Sequence, residues 1–151
     1  MFRGYESLNS LLDISKWNTN KVTDMNYIFG DCKSLKSLSD ISKWNINKVT
    51  NLICSFSGYK DLKSLLDITL CNIVNVKYIY YLLYVCESLI ILLYISKWKL
   101  SNVLNINNIF RDCKSLKSLP DLFKMNINKI IDISNLFNNY ESLTSLPDIS
   151  I

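Results

Sequence analysis

Apolar residues return along this chain at fixed intervals. Leu8, Leu35, Leu62, Leu89, Leu116 and Leu143 are spaced by 27 residues without an insertion or deletion. Around them the segment 35–45, Leu-Lys-Ser-Leu-Ser-Asp-Ile-Ser-Lys-Trp-Asn, recurs five more times, so the chain divides into full units 8–34, 35–61, 62–88, 89–115 and 116–142 with partial units at 1–7 and 143–151. A 27-residue period lies within the 20 to 29 range of leucine-rich repeats, in which each unit supplies one strand and one helical segment. Within a unit, Val22, Met25, Phe29 and Cys32 follow spacings of three and four, repeated by Val49, Leu52, Phe56, Tyr59 and by Ile130, Ile133, Phe137, Tyr140. That interval predicts a short helix with one buried face. Asn20, Asn47, Ser101 and Asn128 precede it as residues suited to cap a first turn. Leu35, Leu38 and Ile41 with their equivalents predict a short strand stacked about 5 Å from the next unit, and Asp40, Ser42 and Asn45 then turn the chain. The expected architecture is an α/β solenoid, leucine-rich-repeat-like, with one short strand and one short helix per unit. A single unit has too little apolar surface to offset its own ordering, so the units must stack.

Composition narrows the function. The 151 residues contain no His, which removes His bases, Ser-His-Asp and Cys-His nucleophile systems and His-ligated metals. Three Gly, at 4, 30 and 58, cannot write a phosphate-binding glycine loop. Hydrophobic residues make up 49% and mean hydropathy is +0.13, which excludes a disordered chain. The net charge of +4 names no partner by itself. Polar columns are spread one per unit instead of converging, so the reading is a binding scaffold, not an enzyme, with no cofactor and no metal. Residues 1–6 form no export signal and hold no Cys to accept a lipid, and the 18 Asn residues include no glycosylation sequon.

The remaining columns each have two readings. Trp17, Trp44 and Trp98, continued by Cys71 and Met125, read as core more readily than as a ligand strip, because other apolar residues replace the indole. Cys32, Cys86 and Cys113 alternate with Tyr59 and Tyr140, which favours buried thiols over a metal cluster. Asn18, Asn45, Asn72 and Asn126 predict side-chain to backbone hydrogen bonds between neighbouring turns. Asp13, Asp40, Asp67, Asp121 and Asp148 are expected to bind turn amides rather than calcium.

Two surfaces stand out as candidate partner sites. Lys33, Lys36, Lys60, Lys63, Lys114 and Lys117 flank the expected strand as a basic strip, interrupted in unit four by Glu87 and Ile90. Lys36, Lys63 and Lys117 are its candidate contacts for an anionic ligand; interleaved aromatics are absent, which argues against specific nucleic-acid readout. In unit four, Ile90, Ile91, Leu93 and Tyr94 replace mostly polar residues and form a candidate apolar patch for a protein partner. The run 78–95 is apolar for 18 residues apart from Glu87 and Ser88, but Leu82, Leu83, Cys86, Leu89, Leu92 and Ile95 stay in core columns, so no membrane span is expected.

The strings Asp-Ile-Ser-Lys-Trp-Asn-Thr-Asn-Lys-Val-Thr-Asp-Met-Asn-Tyr-Ile-Phe-Gly-Asp-Cys-Lys-Ser-Leu-Lys-Ser-Leu at 13–38 and Asp-Ile-Ser-Lys-Trp-Asn-Ile-Asn-Lys-Val-Thr at 40–50 resemble the BspA-like leucine-rich repeats of mycoplasma surface lipoproteins, microbial eukaryotes and giant viruses. Units three and four depart from the pattern, with Cys71 for Trp, Tyr94 for Asp and Lys99 for Asn. The resemblance implies a cell-surface protein in adhesion or protein binding. The alternatives are a structural segment that self-associates end to end, or a piece of a longer repeat protein.

Overall fold

The computed structural model describes residues 1–38, 40–65, 73–92, 95–119 and 121–145. Successive 27-residue units lie side by side, joined by isolated parallel bridges between equivalent positions: Asp24 to Asn51, Asn51 to Tyr78, Tyr78 to Asn105, and Asn105 to Asp132. Around this row, amides of one unit donate to carbonyls 26 residues on. Met25 N donates to Asn51 O at 2.9 Å, Phe29 N to Ser55 O at 3.1 Å and Asp31 N to Ser57 O at 2.8 Å. A second row of bridges joins Ser64 to Ile91 and Ser118 to Ser145. This second row falls in the segment expected to be a strand, but among the described residues Ser64, Ile91, Ser118 and Ser145 each form a single bridge there.

The expected helix over 22–32 and its equivalents does not form. Among the described residues the only helical elements are two 3₁₀ turns, Ile95–Lys97 and Leu122–Met125. The reason is backbone geometry. Tyr27, Cys54, Tyr81, Asn108 and Asn135, one column, all have φ between +48° and +58°, and four residues later Asp31, Gly58, Val85, Asp112 and Asn139 are also left-handed. A left-handed residue cannot continue a right-handed helix. Instead most of them sit in tight turns, such as Ile28 N to Met25 O at 3.2 Å and Gly30 N to Tyr27 O at 3.1 Å, while the alternate amides reach the next unit. These linked turns return apolar side chains inward every three or four residues, the same interval a helix gives.

Those inward columns make the core. Leu35, Leu62, Leu89 and Leu116 are fully buried, as are Val49, Val76 and Val103, and Phe29, Phe56, Leu83 and Phe110 are nearly so. Aromatic rings stack from unit to unit: Phe2 on Phe29 at 5.7 Å, Phe29 on Phe56 at 5.9 Å, and Trp17 on Trp44 at 6.1 Å. The Trp44 indole N–H donates to Ile14 O at 2.9 Å, one unit back, so this column joins the core and also ties units together. Cys71, at the same position in unit three, lies outside the described residues.

Val85 is the misfit of the left-handed column, where Gly, Asp and Asn stand in the other units. A β-branched residue at φ +59° is strained, at a cost of about 1–3 kcal/mol. Val85→Asn, which restores the residue type of position 139, is expected to stabilise the protein by about 1 kcal/mol. A rise in the urea midpoint at unchanged slope would show it; an unchanged or lower midpoint would mean that the valine side chain contributes more than its backbone costs.

Candidate functional site

The candidate site is the second bridge row and the side chains along it. Ile90 N donates to Lys63 O at 3.0 Å, Lys117 N to Ile90 O at 3.5 Å, and Thr144 N to Lys117 O at 3.1 Å. Lys63, Ile90 and Lys117 therefore occupy consecutive rungs, about 5 Å apart. The Lys36, Lys63 and Lys117 side chains are exposed. Among the described residues no ion pair engages them. Lys63 and Lys117, two rungs apart, are about 10 Å from each other, close to the screening length at 0.1 M salt, so their mutual repulsion is small while an anion spanning both gains from each.

The companion column is different. Lys33 Nζ meets Glu6 Oε1 at 2.6 Å and Lys114 Nζ meets Glu141 Oε1 at 3.2 Å. The hydrogen bond from Lys114 to Glu141 raises the lysine's pKa, keeping it charged at higher pH. Internal pairing thus occupies two of the lysines in the strip and leaves its free charge on Lys36, Lys60, Lys63 and Lys117.

Of the expected apolar patch, Ile91 is 45% exposed and Ile90 half-buried; Leu93 and Tyr94 lie outside the described residues. An aromatic group that the sequence pattern did not single out lies in unit three. Tyr80 and Tyr81 pack edge to face at 6.0 Å, Tyr81 and Tyr84 at 5.2 Å, and the Arg111 guanidinium sits 5.8 Å from the Tyr84 ring centre. Tyr78 beside them is 48% exposed. Four Tyr within 78–84, two of them where unit one has Asp24 and Asn26, were the available signal, passed over because the run was weighed only for its core columns against a membrane span.

The polar columns resolve into turn chemistry. Asp13 Oδ1 accepts the Ser15 amide at 3.0 Å and Asp40 Oδ1 the Ser42 amide at 2.8 Å. Hydrogen bonding to Ser15 and Ser42 lowers both carboxyl pKa values. Asp67 and Asp148 lie outside the described residues, and Asp121 pairs with Lys124 at 2.9 Å. Asn72 lies outside the described residues, and Asn45 differs from expectation. Asn45 Oδ1 accepts the Asn47 amide within its own turn, while between units its Nδ2 donates to the Asn20 side chain at 2.8 Å rather than to backbone. Asn20 is thus occupied in this contact, with no helix to cap.

The cysteine column forms its own inter-unit contacts. Cys32 Sγ donates to Phe2 O at 3.0 Å, Cys86 Sγ to Phe56 O at 3.1 Å and Cys113 Sγ to Leu83 O at 3.2 Å. Burial raises the thiol pKa of Cys32 and Cys86, which suppresses the reactive thiolate. Tyr59, in the same column, buries a hydroxyl that has no partner among the described residues, and burial pushes its pKa up. Among the described residues no three Cys, Asp or Glu side chains are placed to hold a metal ion, and no helix is long and apolar enough to cross a membrane.

The family described as "Mycoplasma protein of unknown function, DUF285" matches residues 1–88 and again residues 55–149. The chain belongs to this family. The second DUF285 match begins 54 residues after the first, two of the 27-residue periods, so both fall in the same repeat register. No curated protein and no solved structure matches the chain.

Proposed function

We propose that this DUF285 member is a leucine-rich-repeat-like solenoid of the BspA-like kind, a non-enzymatic scaffold for protein binding or surface adhesion that engages an anionic partner surface. The observation that carries this reading is the row of exposed, unpaired lysines, Lys63 and Lys117, on hydrogen-bonded rungs either side of Ile90, with Ile91 exposed beside it. Positive charges two rungs apart along a straight row match a linear polyanion better than a small ligand, because repetition sets the spacing. Asp13, Asp40 and Asn45 are engaged in turn and inter-unit hydrogen bonds, which supports a scaffold over an enzyme.

Heparin is the probe. Lys36→Glu, Lys63→Glu and Lys117→Glu together are expected to weaken binding about tenfold or more at 0.1 M salt, since each exposed charge contact contributes about 0.2–1 kcal/mol and reversal turns attraction into repulsion. Lys16→Glu, Lys43→Glu and Lys48→Glu, the same charge change elsewhere, serve as the control. Equal loss in both triples would reduce the row to general positive charge and sink the reading.

A second reading, a self-assembling structural segment, is favoured by one observation. Ile133 is 61% exposed in unit five, where the corresponding Leu52, Ile79 and Ile106 of the other units are buried.

A further inference from the structure

In unit three the outward face of the first bridge row changes character. Asn51, Tyr78, Asn105 and Asp132 occupy consecutive rungs of that row, and Ile53, Tyr80, Asn107 and Ser134 stand two residues on, on the same side of the backbone. Between the two columns Leu52, Ile79 and Ile106 are buried in the core, so the tyrosines point away from it: Tyr78 is 48% exposed and Tyr80 half-buried. Core packing therefore does not call for an aromatic ring at either position. Tyr80 packs edge to face on Tyr81, and Tyr81 on Tyr84, which holds the Tyr80 ring in place beside the exposed Tyr78.

Amides and carboxylates frame the two rings on both sides. On one side Asn51 Nδ2 donates to Asp24 Oδ2 at 3.2 Å, and Asn51 Oδ1 accepts Ile53 N at 3.0 Å. On the other, Asn105 Nδ2 and Asn107 Nδ2 both donate to Asp132 Oδ2 at 3.0 Å, and Asn105 Oδ1 accepts Asn107 N at 2.8 Å. These bonds orient the amide planes before any ligand arrives. Asn107 Oδ1 is the atom they leave over: one rung from Tyr80, it is buried and has no partner among the described residues, although the same side chain's Nδ2 is engaged with unit five. An unmet buried acceptor is costly, and a ligand hydroxyl would satisfy it. Asn107 and Tyr80 are both half-buried, so a small rotation of either opens that atom.

We infer that this face, Tyr78 and Tyr80 framed by Asn51, Asn105, Asn107 and Asp132, binds a neutral saccharide. A sugar ring needs an apolar platform for its C–H face and hydrogen-bonding groups for the hydroxyls around its edge. The tyrosine rings supply the first and the oriented amides and carboxylate the second. Charge decides against a polyanion or a nucleic-acid strand: Asp24 and Asp132 stand on either side of the tyrosines, and hydrogen bonds from Ser134 and from the two amides hold the Asp132 carboxyl below the usual carboxylate range, ionised at neutral pH. A protein partner would need a wider apolar centre to desolvate, and of the four rings only Tyr78 is largely exposed. This inference rests on the stacked register of the units, not on the lysine row.

Retention of the 151-residue chain on a panel of immobilised neutral oligosaccharides, built from glucose, galactose, mannose or N-acetylglucosamine, tests it. The wild type is expected to be retained by at least one of them, equally at about 0.1 M and about 0.5 M salt, because no charge pair is involved. Tyr78→Asn and Asn107→Ile introduce the residue types that unit two carries at those positions, Asn51 and Ile53, so both are compatible with the stack. Each is expected to weaken retention about tenfold, one by removing the platform and the other the unmet acceptor. Tyr5→Asn, at a 59% exposed tyrosine off this face, is expected to leave retention unchanged, as is the triple Lys36→Glu, Lys63→Glu and Lys117→Glu. A wild type that no oligosaccharide retains, retention abolished by the higher salt, equal loss in Tyr5→Asn, or undiminished retention by either face variant would overturn the inference. Should circular dichroism show Asn107→Ile unfolded, Tyr78→Asn decides alone, since its side chain is exposed. The lysine triple separates the two readings: heparin binding reports on the lysine row and oligosaccharide retention on the tyrosine face.

Discussion

Phe29→Ala is expected to cost about 3–5 kcal/mol, the range for removing a fully buried aromatic side chain from a packed core. Phe29 has no exposed surface and packs against three aromatic neighbours, with ring centres 5.7 Å from Phe2, 5.9 Å from Phe56 and 6.0 Å from Trp44. Truncation removes these contacts together and leaves a void that stacked rungs, held at fixed backbone spacing, cannot close by collapse. The same change at Phe137, the same column of unit five and 39% exposed, is expected to cost less than about 1.5 kcal/mol. Because stability in stacked repeats is a sum of nearest-neighbour terms, the Phe29 variant should lose units one and two before the rest, broadening the thermal transition. Similar losses at both positions would mean that burial in this column does not follow the stacking described above.

Gly58→Val is the second large effect, a loss of about 2–5 kcal/mol. Gly58 has φ +77°, where a β-branched residue is strained by about 1–2 kcal/mol. A Cβ there would stand 2.6 Å from Asp31 Oδ1 and 3.0 Å from Asp31 Cα, atoms of the equivalent residue one unit back, and crowding of that kind costs about a further 1–3 kcal/mol. The Asp31 side chain can move but its Cα cannot without disturbing the bond from Asp31 N to Ser57 O. Gly58→Asn, which tolerates the backbone angle but keeps the Cβ, should fall between glycine and valine; urea denaturation of the three proteins separates the two contributions. If Gly58→Val unfolds at the wild-type midpoint, the left-handed column is not a constraint on this sequence. The opposite sign expected for Val85→Asn comes from the same column, since Val85 follows a glycine in the stack and lacks Gly58's clash with a preceding side chain.

Much of this was legible in the chain because repetition turns one observation into five. A column holding Val, Val, Val, Val and Ile at 22, 49, 76, 103 and 130 is apolar for a reason that no single unit reveals, and three of its members are fully buried. The helix was misread because three- and four-residue apolar intervals are shared by a helix and by a run of tight turns. The distinguishing signal stood in the polar columns: Gly4, Asp31, Gly58, Asp112 and Asn139 are residue types that accept positive φ, and they recur where a helix has no use for them. The tyrosine group was missed for a related reason, since an apolar run gives no indication of which residues face outward once the periodicity has been assigned to the wrong element.

The lysines divide along the same line. Sequence placed Lys33, Lys36 and their equivalents on one strip, but composition cannot tell a paired lysine from a free one. That depends on which rung Glu6 and Glu141 occupy, and on the reach of Lys33 and Lys114 to them.

By itself, then, the sequence determined the 27-residue period, the columns that go inward, and the absence of histidine-based chemistry, because each of these depends only on residue type and spacing. Tertiary structure decided the rest: the sign of φ at positions 27 and 31, and the partners that the amides of 25 to 31 find in the next unit. Those depend on where a neighbouring unit stands, since a backbone amide chooses between its own turn and the next rung only when that rung is in place.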